Sequence, residues 1–167
     1  MKNLIVITFI ALFIQGCATT YQKAGFTGGY SETQLDENVF RISFRGNGYT
    51  SRERVADFTL LRSAELALEN GFQYFTIIDA NSYTSYSTYK TPTKSYTTGS
   101  AYESGNYVYG NATTTTSGGQ TYHISKPSSL NTIVCFKDKP ENIFAYNANF
   151  INKNIKQKYG INNERNK

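Results

Sequence analysis

Histidine occurs once in this 167-residue chain and cysteine twice, so the side chains that most often carry metal and nucleophilic chemistry are nearly absent. A tetrahedral zinc site needs four ligands, and His123 with one thiol does not complete it without carboxylates, none of which is spaced to help. His123 and Cys135 make a formal base and nucleophile. Cys135, however, falls between Val134 and Phe136 in an apolar run, where a thiol acts as a small filler with a raised pKa. No catalytic residue, metal ligand or cofactor is assigned. Long hydrophobic runs are also missing: Leu4 to Ile14, broken by Thr8, is too short for hydrocarbon that takes about 20 helical residues to cross. No basic run with interleaved stacking aromatics is present, which argues against nucleic acid as a partner.

What is present begins at the amino end. Lys2 supplies one positive charge, Leu4–Ile14 has the length of a secretory h-region, and Ile14-Gln15-Gly16-Cys17 puts a small residue directly before a cysteine. This pattern resembles the bacterial lipobox. In that system the Cys17 sulfur takes a diacylglyceryl group, the chain is cut before it, and the new amine is acylated. One acyl chain holds only marginally, and two or three give a durable anchor. Residues 1–16 are therefore expected to be a lipoprotein signal peptide and Cys17 the lipidation site; the competing reading is a buried apolar helix with a core cysteine. Ala18 after the cysteine, where Asp would favour retention, resembles lipoproteins sorted to an outer membrane facing the periplasm.

Removal of residues 1–16 leaves 151 residues, the size of one domain. With lipid on Cys17, Cys135 is the only thiol left and no intramolecular disulfide forms. Loss of Lys2 leaves 16 basic against 12 acidic residues, a net charge of +4 that suits anionic lipid or an envelope polymer.

Residues 17–37 hold turn formers and polar groups without periodicity and are expected to form a flexible tether. Within "VFRISFR", 39–45, Phe40, Ile42 and Phe44 alternate with polar residues, the period of a half-buried strand. Thr50 and Glu53 have capping-box spacing, and Val55, Phe58, Leu61, Ala64 and Leu68 form a helical stripe closed by Asn70-Gly71. "FQYFTIID", 72–79, reads as an interior strand, which completes a β-α-β unit.

Of residues 81–120, 24 are Ser, Thr or Tyr, three are charged, and Val108 is the only large aliphatic. Such composition buries too little apolar area to offset ordering entropy, so 81–122 is expected to be a mobile low-complexity insertion; a long twisted hairpin is the rival. "NTIVCFK", 131–137, is another strand. Phe144, Ala148, Ile151, Ile155 and Tyr159 mark a second helix with Pro140 in its first turn and Gly160 as its cap, and 161–167 is expected to fray. The expected fold class is α+β: a single small domain over 38–160, ordered β-α-β-(Ser/Thr/Tyr-rich excursion)-β-α, with two helices packed on a small mixed sheet.

The block "GGYSETQLDENVFRISFRGNGYTSRERVADFTLLRSAELALENGFQYFTIID", 28–79, together with "SLNTIVCFKDKP" further on, resembles a family of small bacterial envelope lipoproteins. Its members share the lipobox, this block and a variable Ser/Thr/Tyr-rich stretch. The resemblance implies an envelope lipoprotein and carries no catalytic residue with it.

Three constellations stand out. Arg45, Gly46, Asn47, Gly48, Arg52 and Arg54 surround a glycine-bounded loop entering a helix, a candidate anion site that lacks the GxGxxG and GxxxxGK patterns. Tyr83, Tyr86, Tyr89, Tyr96, Tyr102, Tyr107 and Tyr109 form a candidate contact surface, since tyrosine gives broad contacts at low entropy cost. Glu32, Asp36 and Glu37 precede the first strand and Asp79 ends the second, a carboxylate set that suits glycosidic hydrolysis or solvated corners. The expected function is a membrane-anchored binding or interaction module whose partner is an envelope protein or cell-wall polymer; the alternative is an envelope hydrolase.

Overall fold

A computed structural model describes residues 18–161. The expected signal peptide, Cys17 and the expected tail beyond Ile161 lie outside the described residues. The described chain divides into two compact units, one built from residues up to Ser85 and from Ser125 onward, the other from Tyr86–Ile124. The first unit has the α+β architecture, two helices packed on one face of a small sheet.

Its elements are β1 (Gly29–Asp36), β2 (Val39–Arg45), α1 (Arg52–Glu69), β3 (Tyr74–Lys90), β6 (Thr121–Phe136), β7 (Tyr146–Asn147) and α2 (Ala148–Tyr159); β3 and β6 also run on into the second unit. The sheet order is β1-β2-β6-β3-β7. β1 with β2, β2 with β6 and β3 with β7 are antiparallel. β6 also opposes β3, because Gln73 N–H donates to Phe136 O while Ser85 Oγ reaches Lys126 O. The sheet expected to be mixed is antiparallel at every neighbouring pair: β2 and β3, the two ends of the crossover, do run parallel to each other, but β6 lies between them. The strand that follows the excursion inserts between the two ends of the β-α-β crossover.

Alternation along β2 sends Phe40, Ile42 and Phe44 to the helices and Arg41 and Arg45 to the opposite side. The stripe of α1 meets them: Val55, Phe58, Leu61 and Ala64 are buried, as are Phe75, Ile133 and Cys135 from the sheet. Phe58 is the aromatic hub, with ring centroids 5.3 Å from Tyr21, 5.1 Å from Phe44 and 4.9 Å from Tyr159. Burial of such a ring contributes through both area and edge-to-face geometry.

Several boundaries differ from expectation. Ser51, one residue later than Thr50, caps α1 by accepting from Arg54 N–H at 3.1 Å. α2 starts at Ala148 behind the cap Asn147, so Pro140 lies outside it and Phe144 stays exposed. Gly160 does close α2, at φ 63°. The tether expected over 17–37 is instead built into the domain within its described part: Thr19 and Tyr21 are buried, and Gly29–Asp36 is the outermost strand of the sheet. Its sequence looked aperiodic because the inward positions of β1 carry Tyr30 and Glu32 where aliphatics are usual.

The second unit is ordered as strands, as the rival hairpin reading had it, and not as the mobile insertion expected. β4 (Lys94–Ser104) pairs with β5 (Tyr107–Ser117) through eleven residue pairs. Gly105, at φ 64° in a two-residue turn, supplies the conformation that a type II′ hairpin requires. Hydroxyl pairs knit the strands side by side, Ser95 with Thr116 at 3.1 Å and Thr97 with Thr114 at 2.9 Å. Cross-strand hydrogen bonds replace the missing apolar contacts.

Candidate functional site

The loop Arg45–Thr50 turns its amides inward. Gly46 N–H donates to Pro127 O at 2.8 Å, Tyr49 N–H to Asn47 Oδ1 at 3.0 Å, and Asn47 N–H to Thr19 Oγ1 at 2.9 Å and Thr50 Oγ1 at 3.2 Å. Thr19 completes the knot by donating its N–H to Thr50 Oγ1 at 2.9 Å and its hydroxyl to Thr27 O at 2.8 Å. The donors that would cradle an anion are spent on Pro127, on the loop's own side chains and on Thr19. The three arginines are also dispersed. Arg54 lies over the Phe58 and Tyr159 rings at 5.9 and 5.2 Å, Arg52 is exposed at the start of α1, and Arg45 projects from the other side of the sheet. The candidate anion site formed by Arg45, Gly46, Asn47, Gly48, Arg52 and Arg54 is therefore not assembled as expected.

Arg45 instead shares a cleft of about 240 Å³ with Lys126 and the turn Gly25–Gly28. Arg45 pairs in register with Ser128, which puts Lys126 two residues along the same face of β6. Neither cation has an ion-pair partner among the described residues.

Sequence reasoning missed Arg62. It sits in α1 with a side chain only 7% exposed, holding Glu32 of β1 through Nε and Nη2 at 2.5 and 3.0 Å and Glu69 through Nη1 and Nη2 at 2.7 and 2.9 Å. Glu65 accepts from Arg62 at 3.2 Å, from Lys156 of α2 at 2.8 Å and from the Tyr21 hydroxyl. The guanidinium also lies 4.8 Å from the Tyr30 ring centroid. Burial would lower the Arg62 pKa, but the hydrogen bonds it donates to Glu32 and Glu69 outweigh it and the cation is held more firmly than usual. Burial likewise pulls Glu65 up, while Lys156, Tyr21 and Arg62 outweigh it and keep its carboxyl below the ordinary value. The cluster is a clamp joining β1, α1 and α2. Its one sequence signal is Arg62-x-x-Glu65, one side of a helix carrying opposite charges.

The carboxylates considered for hydrolysis do not converge. Glu32 is committed to Arg62, and Asp36 accepts from Glu37 N–H at 2.8 Å. Asp79 accepts from the Asn81 amide at 3.1 and 3.2 Å. β1, which bears Glu32, and β3, which bears Asp79, have β2 and β6 between them. Three strand spacings amount to roughly 14 Å, wider than either glycosidase geometry. Cys135 is buried in the core and burial pushes its thiol up to about 12, which suits a filler and opposes a nucleophile.

The tyrosines fare differently. All seven, Tyr83, Tyr86, Tyr89, Tyr96, Tyr102, Tyr107 and Tyr109, are exposed. In β4 and β5 the register puts Tyr96 opposite Thr115, Tyr102 opposite Tyr109 and Ser104 opposite Tyr107, so Tyr96, Tyr102, Tyr107 and Tyr109 share one face. Tyr102 and Tyr109 stack with centroids 5.6 Å apart. The opposite face carries Gly99, Ala101, Gly110 and Ala112 at its centre, with hydroxyl residues at one end and Glu103 and Val108 at the other. Tyr83, Tyr86 and Tyr89 defied strand periodicity in the sequence because neither face of β3 is buried there, so alternation leaves no apolar signature.

Comparison with family models, with curated proteins and with solved structures finds no match for this chain, so its function is argued from the residues described above.

Proposed function

We propose that this protein is a lipid-anchored module of a bacterial envelope, held by Cys17 in the outer membrane facing the periplasm, and that it binds an envelope polymer or protein without catalysis. The anchoring half of the reading is supported by the basic start, the short apolar run and the Gly16-Cys17 junction. The binding half rests on one observation: Tyr96, Tyr102, Tyr107 and Tyr109 are exposed together on one face of the β4–β5 ladder, framed by hydroxyl and amide side chains. Aromatic planes with polar rims suit sugar rings, whose faces are apolar and whose edges hydrogen-bond. An isolated two-stranded ladder is marginal in water, and a partner laid against it adds the burial it lacks.

The test is co-sedimentation of the full chain with purified cell-wall polymer. At about 1 kcal/mol per aromatic contact, the double change Tyr102→Ser and Tyr109→Ser weakens binding roughly thirtyfold. Equal retention of the native and changed proteins, or no retention of either, removes the polymer from the reading. Crosslinking in intact envelopes then decides whether a protein takes its place.

A further inference from the structure

The described chain is fixed from its second residue: Thr19 is 1% exposed and bonded on three sides, to Thr50, Thr27 and Asn47. Only Ala18 separates it from Cys17. Two residues reach at most about 7 Å. Each headgroup layer of a bilayer is about 5–7 Å thick, so a lipid on Cys17 leaves no slack to lift the surface around Thr19 clear of it.

That surface has the composition of an interfacial contact. Phe26 is 108% exposed at the tip of a turn locked by reciprocal Gly25 and Gly28 hydrogen bonds of 3.0 and 3.2 Å. Tyr49, in the loop that holds Thr19, is 76% exposed. A rigid, fully exposed phenylalanine is unfavourable in water and favourable at the lipid boundary, where aromatic side chains are enriched. Arg45 and Lys126 line the adjacent cleft, which contains no acidic residue. Unpaired basic residues at a membrane face attract anionic headgroups.

We propose that the face around Thr19 is seated on the anionic phospholipid headgroups of the anchoring membrane, with Phe26 in the interfacial layer and Arg45 and Lys126 against lipid phosphates. The inference rests on the reading of Cys17 as the lipid-bearing residue. Seating of this kind fixes the domain's orientation, so the short linkage at Ala18 acts as a mount and not as a leash.

The chain contains no tryptophan, so Phe26→Trp introduces a single emitter, and Glu37→Trp at the opposite end of the β1–β2 hairpin gives its control. Each full-length protein, made in a double-membraned bacterium and extracted in detergent, is reconstituted into phosphatidylcholine vesicles with or without phosphatidylglycerol. The Phe26→Trp emission is expected to shift to the blue and lose most of its intensity to brominated lipids when phosphatidylglycerol is present, and the control to remain unquenched. Added Arg45→Glu and Lys126→Glu should abolish that quenching while the protein still floats with the vesicles; Arg45→Gln and Lys126→Gln serve if circular dichroism shows the reversed pair misfolded. Floating protein with an unquenched Phe26→Trp emitter overturns the seating and leaves the anchor standing. Quenching that is equal without phosphatidylglycerol overturns the role given to the two cations. Protein that does not float and whose intact mass shows an unmodified Cys17 overturns both the seating and the anchor.

Discussion

Arg62 shows how much one side chain can decide. Its guanidinium is nearly buried among Glu32, Glu65 and Glu69, and removing it leaves the half-buried Glu32 without its partner, Glu65 with Lys156 and Tyr21 alone, and Glu69 to solvent. Breaking one partner from a buried ion cluster costs about 3–5 kcal/mol. Arg62→Ala is therefore expected to lower stability by that amount in urea denaturation, whereas Arg41→Ala, on an exposed position of β2, should change it by about 0.5 kcal/mol or less. The same corner sets an acid limit. The folded state favours the Glu65 carboxylate, so its pKa lies below the ordinary value of 4.5. Its contribution is complete above about pH 4.5 and is lost as pH falls through the folded pKa. Thermal melts from about pH 6 to pH 3 should show a steeper loss for the native chain than for Glu65→Gln, which starts less stable and changes less in that window. Little of this corner beyond the Arg62-x-x-Glu65 spacing was legible in the sequence. Its partners lie 30, 44 and 91 positions apart along the chain (Glu32 with Arg62, Tyr21 with Glu65, Glu65 with Lys156), and Glu32 occupies an inward strand position where pattern reading looks for an aliphatic.

At the scale of elements, what could be read was whatever repeats locally. The α1 stripe from Val55 to Ala64, the alternation of β2 and the glycine that ends α2 each declare themselves within a few residues. What could not be read was set by distant demand. Thr50 looked like the cap of α1, but Thr19 and Asn47 claim its hydroxyl, and Ser51 takes over the cap. Removing that cap with Ser51→Ala should cost about 1 kcal/mol. Gly46→Ala is the harsher change in the same loop: an added Cβ would lie 2.8 Å from Thr50 Cβ and 2.9 Å from Val55 Cγ2. Overpacking of that kind costs about 1–3 kcal/mol. Gly71→Ala meets open space but needs φ 80°, so its cost is conformational alone. Chemical denaturation of the three variants ranks cap, clash and strain against one another. The candidate anion loop failed for a related reason: its glycines were visible, but the commitment of its donors to Pro127, to Asn47 Oδ1 and to Thr19 was not.

For the whole molecule, the two units use different chemistry to remain ordered, an apolar core in one and hydroxyl-laced strands in the other. Composition alone argued for disorder in the second, because it weighs apolar burial and ignores cross-strand hydrogen bonding. On the anchor reading, Cys17→Ala should abolish incorporation of a palmitate analogue, leave uncut precursor, and release the protein from membranes on fractionation. Unchanged labelling removes the anchor.

The central strand of the five-stranded sheet comes from late in the chain: Phe40 pairs with Ile133, and both β2 and β3 abut β6. A polypeptide emerging amino end first from a ribosome can therefore pair β1 with β2 but has nothing to join β2 to β3 until residues near 133 arrive. Such long-range closure makes folding slow and late. A nascent chain stopped short of Asn131 has a hairpin and a helix on one side and β3 on the other, waiting for their keystone, and so is an easy client for chaperones and proteases.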